Sequence, residues 1–195
     1  MKKGFLTAMA VILAATGLYA EKKFVMLDKV VAVVGNSSIM HSEVEQVAQF
    51  YVALGWRQQY VGVMKLKNPK DGVQVYFIDS EYYFGGRDAA IYGHGDDSER
   101  FAFFSRACLE AMGVLGWIPD VIQCNDWQTA LVPTFLKARY SALFPGTKCM
   151  FTIHNVEYQG WAHADFFDDV LGLPWHWRSV LEMNNSVNVM KGAIE

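Results

Sequence analysis

Clusters of positive charge are missing from this sequence, and their absence argues against one broad class of function. The chain has 17 Lys and Arg residues against 20 Asp and Glu residues, and its formal net charge is −3 at pH 7. Proteins that bind nucleic acids usually concentrate Lys and Arg on one surface or along one segment. We therefore expect no nucleic-acid partner.

Paired cysteines are missing as well. The 3 cysteines, Cys108, Cys124 and Cys149, form no Cys-x-x-Cys pair and show no metal-ligand spacing. Cys124 and Cys149 lie in apolar strand-like runs, where Cys commonly behaves as a small buried hydrophobe. The cysteines favour a reducing cytosol, and they predict no metal site.

Familiar catalytic and cofactor motifs are also absent. The sequence has no G-x-G-x-x-G loop, no phosphate-binding P-loop, no G-x-S-x-G nucleophile elbow and no H-E-x-x-H zinc motif. Internal repeats and low-complexity tracts are absent too. We expect no bound cofactor, and any function must come from residues that the fold brings together.

The chain does have enough apolar sequence for a packed core. Its 195 residues suit one domain, or one domain with an appendage, and 52% of them are hydrophobic. Aromatic residues make up 14% of the chain and include 6 Trp. Trp and Tyr can form flat platforms for sugars or bases, but we expect most of these residues to lie in the core.

Residues 1–20 have the order of a secretory signal peptide. Lys2 and Lys3 precede an apolar run from Phe5 to Ala15, and Thr16-Gly17-Leu18-Tyr19-Ala20 follows. The apolar run is too short to span a bilayer comfortably. This pattern indicates export while the cysteines favour the cytosol, so the sequence leaves both compartments open.

Residues 21–53 form a distinct segment in the sequence. An apolar strand, Val30–Val34, precedes the hairpin dipeptide Gly35-Asn36, and Ser42 with Glu45 predicts a capping box that opens a helix. The stretch KFVMLDKVVAVVGNSSIMHSEVEQVAQ resembles the start of mature periplasmic parvulin-type chaperones. No parvulin domain follows, so the resemblance implies an exported chaperone-like protein as one alternative, without isomerase activity.

Residues 54–195 alternate strands and helices, which predicts an α/β fold with a parallel sheet. Three buried strands are expected, at Val73–Asp79, Val121–Cys124 and Cys149–Ile153. Helices are expected at Glu99–Leu115, Gln128–Leu143 and, in shorter form, near 166–171 and 187–193. Ser80–Asp97 reads as a long loop. In the first helix the apolar stripe consists of Phe101, Phe104, Cys108, Ala111 and Met112.

Two of these strands end abruptly in polar residues, in DVIQCNDWQ (Asp120–Gln128) and FTIHNVEYQG (Phe151–Gly160). A strand–helix–strand unit takes roughly 30 residues, so the two strands suit parallel neighbours with adjacent carboxyl ends. Ligands bind at that rim in open α/β sheets. The spacing predicts a ligand site that contains Asn125, Asp126, His154 and Asn155.

Each of these residues also has a structural interpretation. Asp126 could cap the following helix, and a lone His is more often structural than functional. Tyr158, Gln159 and Gly160 follow His154 in the same loop, and Gly160 permits close backbone approach. An imidazole beside amide donors suits hydroxyl groups such as those of a sugar, so both interpretations stay open.

A third cluster of polar residues follows the first predicted strand. Asp79, Tyr82, Arg87 and Tyr92 belong to its loop, and Arg87 could clamp a phosphate or carboxylate, although a surface position is commoner. The acidic residues Asp96, Asp97 and Glu99 are best explained by the dipole at the start of a helix.

Four ordered motifs between about Trp56 and Glu195 resemble bacterial glycogen synthases and plant starch synthases. They are YFIDSEYYFGGRDAAIYGHGDDSERFAFFSRACLEA, DVIQCNDWQTALVPTFLKARY, FTIHNVEYQGW and MNNSVNVMKGAIE. The resemblance implies a retaining glucosyltransferase that moves glucose from ADP-glucose to the non-reducing end of an α-1,4-glucan without a metal. It also implies a cytoplasmic protein built from two Rossmann-like domains.

The resemblance assigns roles to individual residues. Asp126 and His154 match residues near the transferred glucose, so they are the candidate catalytic residues. The candidate substrate-binding residues are Tyr92, Asn125, Asn155, Tyr158, Gln159 and Arg87. Many family members have a second His where this chain has Asn125.

Two departures from the family matter for activity. The sequence lacks the K-T-G-G-L loop whose Lys and glycines approach the donor diphosphate. We also expect residues 54–195 to represent only the N-terminal, acceptor-side domain, as an incomplete Rossmann-like parallel sheet with flanking helices. We therefore expect negligible activity from this polypeptide alone, with a non-catalytic glucan-binding module as a further alternative.

Overall fold

The computed structural model describes residues 30–34, 37–69, 72–86 and 92–195. The signal-like residues 1–20, the turn residues Gly35 and Asn36, and Arg87 lie outside these ranges. No helix in the described part of the chain is long and apolar enough to cross a membrane.

An antiparallel sheet forms the first half of the described chain. Its order is β3 (Val44–Leu54), β4 (Arg57–Leu66), β5 (Tyr76–Asp79), and it follows a small hairpin of β1 (Val30–Val34) with β2 (Ser37–Met40). From Ala48 to Leu54 the residues of β3 alternate between more buried and more exposed positions, with Val52 and Leu54 buried, as expected for a strand with one buried face. The predicted strand at Val30–Val34 is confirmed, whereas the next predicted strand is shorter than Val73–Asp79.

The capping box predicted at Ser42 and Glu45 is wrong. A single turn, His41–Glu43, is followed directly by β3, so Glu45 lies in a strand. The main-chain N–H of Met40 donates to Glu43 Oε2 at 2.8 Å instead. Burial of Val44, Val52 and Leu54 against the core favours a strand over the helix that the local pattern suggests.

A parallel pair of strands forms the second half. β6 (Val121–Asn125) pairs with β7 (Lys148–Thr152), and the register runs from Val121 opposite Lys148 to Asn125 opposite Thr152. The connection contains a turn at Trp127–Thr129, α3 (Leu131–Phe135) and a wider helical turn at Leu136–Tyr140. The strand–helix–strand unit predicted from the spacing is therefore confirmed.

The long helix α2 (Asp97–Val114) lies between the two halves. The buried residues of α2 extend beyond the predicted apolar stripe. Phe101 and Ala111 are buried as expected, and Phe103, Ala107 and Leu109, which lie outside the stripe, are buried too. A helix that packs against a sheet on one side and against another helix on the other needs apolar residues around most of its circumference. The core also includes Tyr83 from the short helix α1 (Glu81–Phe84).

The C-terminal part is irregular. It contains β8 (Trp161–Ala162), a helical turn at Phe167–Leu171, another at Trp175–Trp177, α4 (Arg178–Leu181), β9 (Glu182–Met183), β10 (Ser186–Asn188) and α5 (Val189–Ile194). The order of the small sheet is β8-β10-β9. The predicted helix near 187–193 thus begins as a strand, because Val187 and Asn188 pair with Ala162 and Trp161.

The fold is α/β, as predicted, but its strands divide among separate sheets. Within the described residues β5 pairs only with β4, and β6 pairs only with β7. The outer face of the parallel pair exposes 55% of Val121 and 50% of Met150. Parallel sheets usually have both faces covered, so this part of the sheet is incomplete, as the sequence predicts.

Candidate functional site

Asp126 joins the ends of the two parallel strands. Its main-chain N–H donates to the carbonyl of Thr152 at 2.9 Å, and its Oδ1 accepts the main-chain N–H of His154 at 2.7 Å. The side chain makes no capping hydrogen bond to the following turn. The capping interpretation is therefore wrong, and the carboxylate fixes the distance between the two strand ends.

The backbone of Asp126 is strained. Its φ of 56° and ψ of −179° place it in a region that is essentially restricted to glycine. Hydrogen bonds hold it there: the Asp126 carbonyl accepts the N–H of Thr129 at 3.1 Å, and Thr129 Oγ1 donates to the Asn125 carbonyl at 2.8 Å. Strain of this kind costs roughly 1–3 kcal/mol and tends to occur at functional sites.

Asn125 and His154 meet across the same rim. His154 Nε2 lies 3.2 Å from Asn125 Oδ1. If Nε2 carries the proton and donates to this oxygen, Nδ1 is the acceptor of the ring. Both side chains are exposed, so the rim offers a carboxylate, an amide and an imidazole side by side.

The loop after His154 is held by its own polar residues. Asn155 Oδ1 accepts the N–H of Glu157 at 2.9 Å. Gln159 Oε1 accepts from Nδ2 of the buried Asn188 at 2.7 Å, and the Gln159 carbonyl accepts the N–H of Met190 at 3.1 Å. These contacts place Asn155 and Gln159 in the loop's framework, whereas the Tyr158 ring is 60% exposed.

At Gly160 the loop passes between Val189, the first residue of α5, and the ring of Trp127. Its φ is 67°, and a Cβ there would lie 2.6 Å from Trp127 Cε3 and would collide with Val189 Cγ2. The close backbone approach predicted from the sequence is confirmed. Gly160 thereby lets Trp127, the residue after Asp126, pack against the loop.

An open groove of about 400 Å³ lies beside these residues, and we call it the rim groove. Its lining includes Tyr92, Trp127, Tyr158, Gln159 and Trp161. Tyr92 is 58% exposed and Trp161 is 45% exposed, so both present ring surface to the solvent. Three of the predicted binding residues thus share one groove, while Asn125, Asp126, His154 and Asn155 lie at the adjoining strand ends.

The described part of the loop after β5 brings fewer side chains to the candidate site than the sequence predicts. Asp79 ends a strand of the antiparallel sheet, and Tyr82 OH accepts a hydrogen bond from Arg57 at 3.4 Å. Arg87 lies outside the described residues. The acidic cluster is engaged in ion pairs as well as in starting a helix: Asp97 pairs with Arg100 and Glu99 pairs with Arg57, both at 2.7 Å.

Two thiols are unsuited to nucleophilic chemistry. Burial raises the pKa of Cys108 to about 12. The Cys124 thiol donates to Cys149 and is buried, and both effects raise the pKa of Cys124, whereas the pKa of Cys149 is lowered by the same hydrogen bond. Within the described ranges no group of three or more His, Cys, Asp or Glu residues is arranged to hold a metal ion.

Sequence reasoning missed Trp127, Trp161 and Arg57. Trp127 follows Asp126 directly and Trp161 follows Gly160 directly. This adjacency to two singled-out residues is the sequence feature that could have predicted their place in the site. Arg57 pairs with Glu99, 42 positions away, and no local pattern indicates that contact.

Comparisons with known proteins agree with the fold. A sequence profile described as "Starch synthase catalytic domain" matches residues 10–195, a range that includes the chaperone-like segment 21–53. Glycogen synthase from Clostridioides difficile is 42% identical over 163 residues, covering 80% of this chain and 34% of that protein. The corresponding protein from Exiguobacterium sibiricum is 47% identical over 158 residues, covering 78% of this chain and 32% of that protein.

A solved structure is similar too. The catalytic domain of Starch Synthase IV from Arabidopsis thaliana, bound to ADP and acarbose, superposes with a TM-score of 0.67 at 29% identity. The match covers 78% of this chain and 32% of that one. The chain spans about a third of the length of the relatives that it matches.

Proposed function

The chain belongs to the starch synthase catalytic domain family, and from that membership we propose that it forms the acceptor side of a glucosyl-transfer site. The reaction moves glucose from ADP-glucose to the non-reducing end of an α-1,4-glucan with retention of configuration. The relatives extend well beyond the matched region. For this chain, the proposed role is to bind the glucan and to position groups around the transferred sugar.

The observation that carries the proposal is the strained corner at Asp126. Its carboxylate is held 2.7 Å from the His154 N–H, and the His154 ring reaches Asn125 across the rim. Transfer of a glucosyl group passes through an oxocarbenium-like centre, which is stabilised by a fixed carboxylate and by oriented dipoles. Asp126 and His154 are therefore the proposed catalytic residues.

The rim groove suits the acceptor. Sugar rings have apolar C–H faces that stack on aromatic rings, and the exposed rings of Tyr92, Tyr158 and Trp161 line this groove. Gln159 and Asn155 act by holding the loop that carries Tyr158. That the Arabidopsis structure contains acarbose as well as ADP supports a sugar and a nucleotide as ligands of this site.

A donor diphosphate needs cations to balance its negative charge. None of the described residues that line the rim groove is Lys or Arg, and the sequence has no K-T-G-G-L loop. We propose that the 195-residue chain alone releases ADP from ADP-glucose no faster than a no-enzyme blank when glycogen is present. A coupled ADP assay checks this, and turnover near that of an intact synthase contradicts it.

Glucan binding is tested separately from turnover. Retention of the chain in a native gel that contains glycogen is expected to fall in Tyr158→Ala and His154→Ala variants. Tyr51→Ala is the matched control, because Tyr51 is 68% exposed and lies on β3, outside the rim groove. Equal losses in Tyr51→Ala and Tyr158→Ala, or no retention of the parent chain, contradict the proposal.

A non-catalytic glucan-binding module is the second candidate, and the lack of Lys and Arg among the described residues that line the rim groove favours it. The two candidates differ in one measurable respect. When the chain is mixed with the family regions that it does not span, turnover that is lost in Asp126→Ala and His154→Ala variants supports the catalytic role, whereas no turnover supports the binding module. The family implies a cytoplasmic site of action, whereas residues 1–20 and the chaperone-like segment imply export. Cell fractionation with N-terminal sequencing separates these two outcomes.

A further inference from the structure

The rim groove continues into two further depressions along the surface of the domain. The second depression, about 560 Å³, shares Gly95, Ser98 and Trp161 with the rim groove. The third, about 220 Å³, shares Glu99, Asp169 and Val170 with the second and ends at Trp56. Because neighbouring depressions share lining residues, the three adjoin one another along the surface between Tyr158 and Trp56, and we call this series of depressions the channel.

Trp56 stands at the far end of this channel with its ring in solvent. It is 82% exposed, the largest exposed fraction among the large hydrophobic residues described. It lies in the turn between β3 and β4, next to Gly55, whose φ is 57°. A Cβ on Gly55 would collide with the main-chain oxygen of Asp169, so the turn is pressed against the channel wall.

The indole of Trp56 is held in place by an anchored cation. The guanidinium of Arg57 lies 4.9 Å from the Trp56 ring centroid. Arg57 Nη1 donates to Glu99 Oε1 at 2.7 Å, and the same oxygen accepts the hydroxyl of the fully buried Tyr83 at 2.7 Å. An exposed aromatic ring tied to a buried network loses little freedom on binding, which favours a ligand contact.

The chemistry of the channel selects a neutral polyhydroxyl ligand. Between Trp161 and Trp56 its lining includes the carboxylates of Asp165 and Asp169, which accept hydrogen bonds from hydroxyl groups, while the charge of Glu99 is paired with that of Arg57. Aromatic rings at both ends offer stacking surfaces. A linear chain of sugar units satisfies both features along the whole length of the channel.

We propose that Trp56 is an outer binding platform for a long α-1,4-glucan whose end occupies the rim groove. The chain therefore discriminates long glucans from short ones, because only a long glucan reaches from Tyr158 past Trp161 to Trp56. This inference rests on the proposed function, since it assigns the same substrate class to the rim groove.

The test compares two probes, maltotriose and a long linear maltodextrin, by titration calorimetry on the 195-residue chain. Trp56→Ala is expected to weaken maltodextrin binding roughly threefold to tenfold, the range of one aromatic contact, and to leave maltotriose binding unchanged. Trp56→Phe keeps a stacking surface and is expected to restore most of the loss. Unchanged maltodextrin binding in Trp56→Ala overturns the inference, as do equal losses for both probes.

Trp175→Ala is the matched control. Trp175 is 71% exposed, and the guanidinium of Arg178 lies 4.8 Å from its ring centroid, so its exposure and its contact with an arginine resemble those of Trp56. Trp175 does not line the channel. An equal effect in this variant overturns the inference. Tyr158→Ala separates the two proposals: if it weakens both probes while Trp56→Ala weakens neither, only the outer platform is wrong. If the parent chain binds neither probe, both proposals fail.

Discussion

The carboxylate of Asp126 accepts the main-chain N–H of His154 at 2.7 Å, and this bond links the carboxyl ends of two parallel strands. The residues are 28 positions apart, and the helix between them brings the strands into register. The bond is made by a residue with unfavourable backbone angles. Hydrogen bonding and backbone strain can therefore be separated by substitution at this one position.

Asp126→Ala should lower the free energy of unfolding by about 1–2 kcal/mol, because it removes the hydrogen bond and keeps the strained φ. Asp126→Gly also loses the bond but relieves the strain, so it should be less destabilising than the Ala variant by about 1 kcal/mol. Asp126→Asn retains an acceptor and should be closest to the parent. Urea unfolding measures this order of stabilities, and a Gly variant that is less stable than the Ala variant would contradict the prediction.

Gly160→Ala should destabilise the chain by about 2–4 kcal/mol, because the added Cβ clashes with Trp127 and Val189 and the φ of 67° is unfavourable. Gly146→Ala is the control: its φ is 85°, and a Cβ there meets nothing within 4 Å. The difference between the two variants isolates the steric clash from the backbone penalty. If the two variants have equal free energies of unfolding, the clash with Trp127 and Val189 is relieved without loss of stability, which contradicts the prediction.

Cys149 should react with a thiol reagent before Cys108 and Cys124 do. The pKa of Cys149 is lowered by the hydrogen bond from Cys124, so its reactive thiolate is present at lower pH than for an ordinary cysteine. The raised pKa values of Cys108 and Cys124 keep those thiols protonated through neutral and mildly alkaline pH. Reaction progress followed between pH 7 and pH 9 should therefore show a single fast thiol.

A Cys149→Ser variant provides the control for that experiment. It should lose the fast phase and leave the two slow thiols, which become reactive only when the chain is unfolded in denaturant. A fast phase that persists in Cys149→Ser would contradict the assignment.

Removal of residues 1–43 should leave a folded chain, whereas removal of residues 1–54 should not. The shorter deletion stops before β3, although it costs the hydrogen bond from the Lys67 N–H to the Glu43 carbonyl. The longer deletion removes Val44, Val52 and Leu54 from the core and leaves β4 without its hairpin partner. Thermal unfolding followed by circular dichroism distinguishes the two, and a cooperative transition in the longer deletion would contradict the expectation.

That deletion pair also bears on the proposed domain division. The division places 21–53 with a chaperone-like sequence and 54–195 with the synthase family, and its boundary falls within the β3–β4 hairpin. The division describes sequence resemblance, and it stays a prediction. If the shorter deletion folds, the structural boundary lies near residue 43 instead.

The strand ends at Asn125 and His154 could be predicted because their signals are local. An apolar run stops at a polar residue in each case, and the spacing of the two runs fixes a parallel pair. β5 lies within a predicted strand, but its antiparallel pairing with β4, and the strands β3 and β4 themselves, could not be predicted in the same way, because β3 and β4 are partly polar and depend on tertiary burial. Val61 and Val63 are fully buried while Gln58 and Tyr60 face outward, a pattern that only the packed sheet explains.

The role of Asp126 was open in the sequence for a physical reason. An Asp before a helical segment is compatible with a cap or with a ligand, and both place the carboxylate near main-chain N–H groups. Only the fold shows that the acceptor faces His154 and not the following turn. The Arg57–Glu99 pair was out of reach for the same reason, since its partners come from two elements that no local pattern connects.

Helix α2 contacts the antiparallel sheet on one side and α3 on the other, while β5 and β6 share no hydrogen bonds in the described chain. Cohesion between the two halves therefore depends on side-chain packing and not on a continuous ladder of main-chain bonds. Packing contacts of this kind can be lost gradually, because each buried methyl group or aromatic ring contributes separately to them. Hydrogen exchange would then proceed through partial opening of one half at a time, with the amides of α2 among the last to exchange.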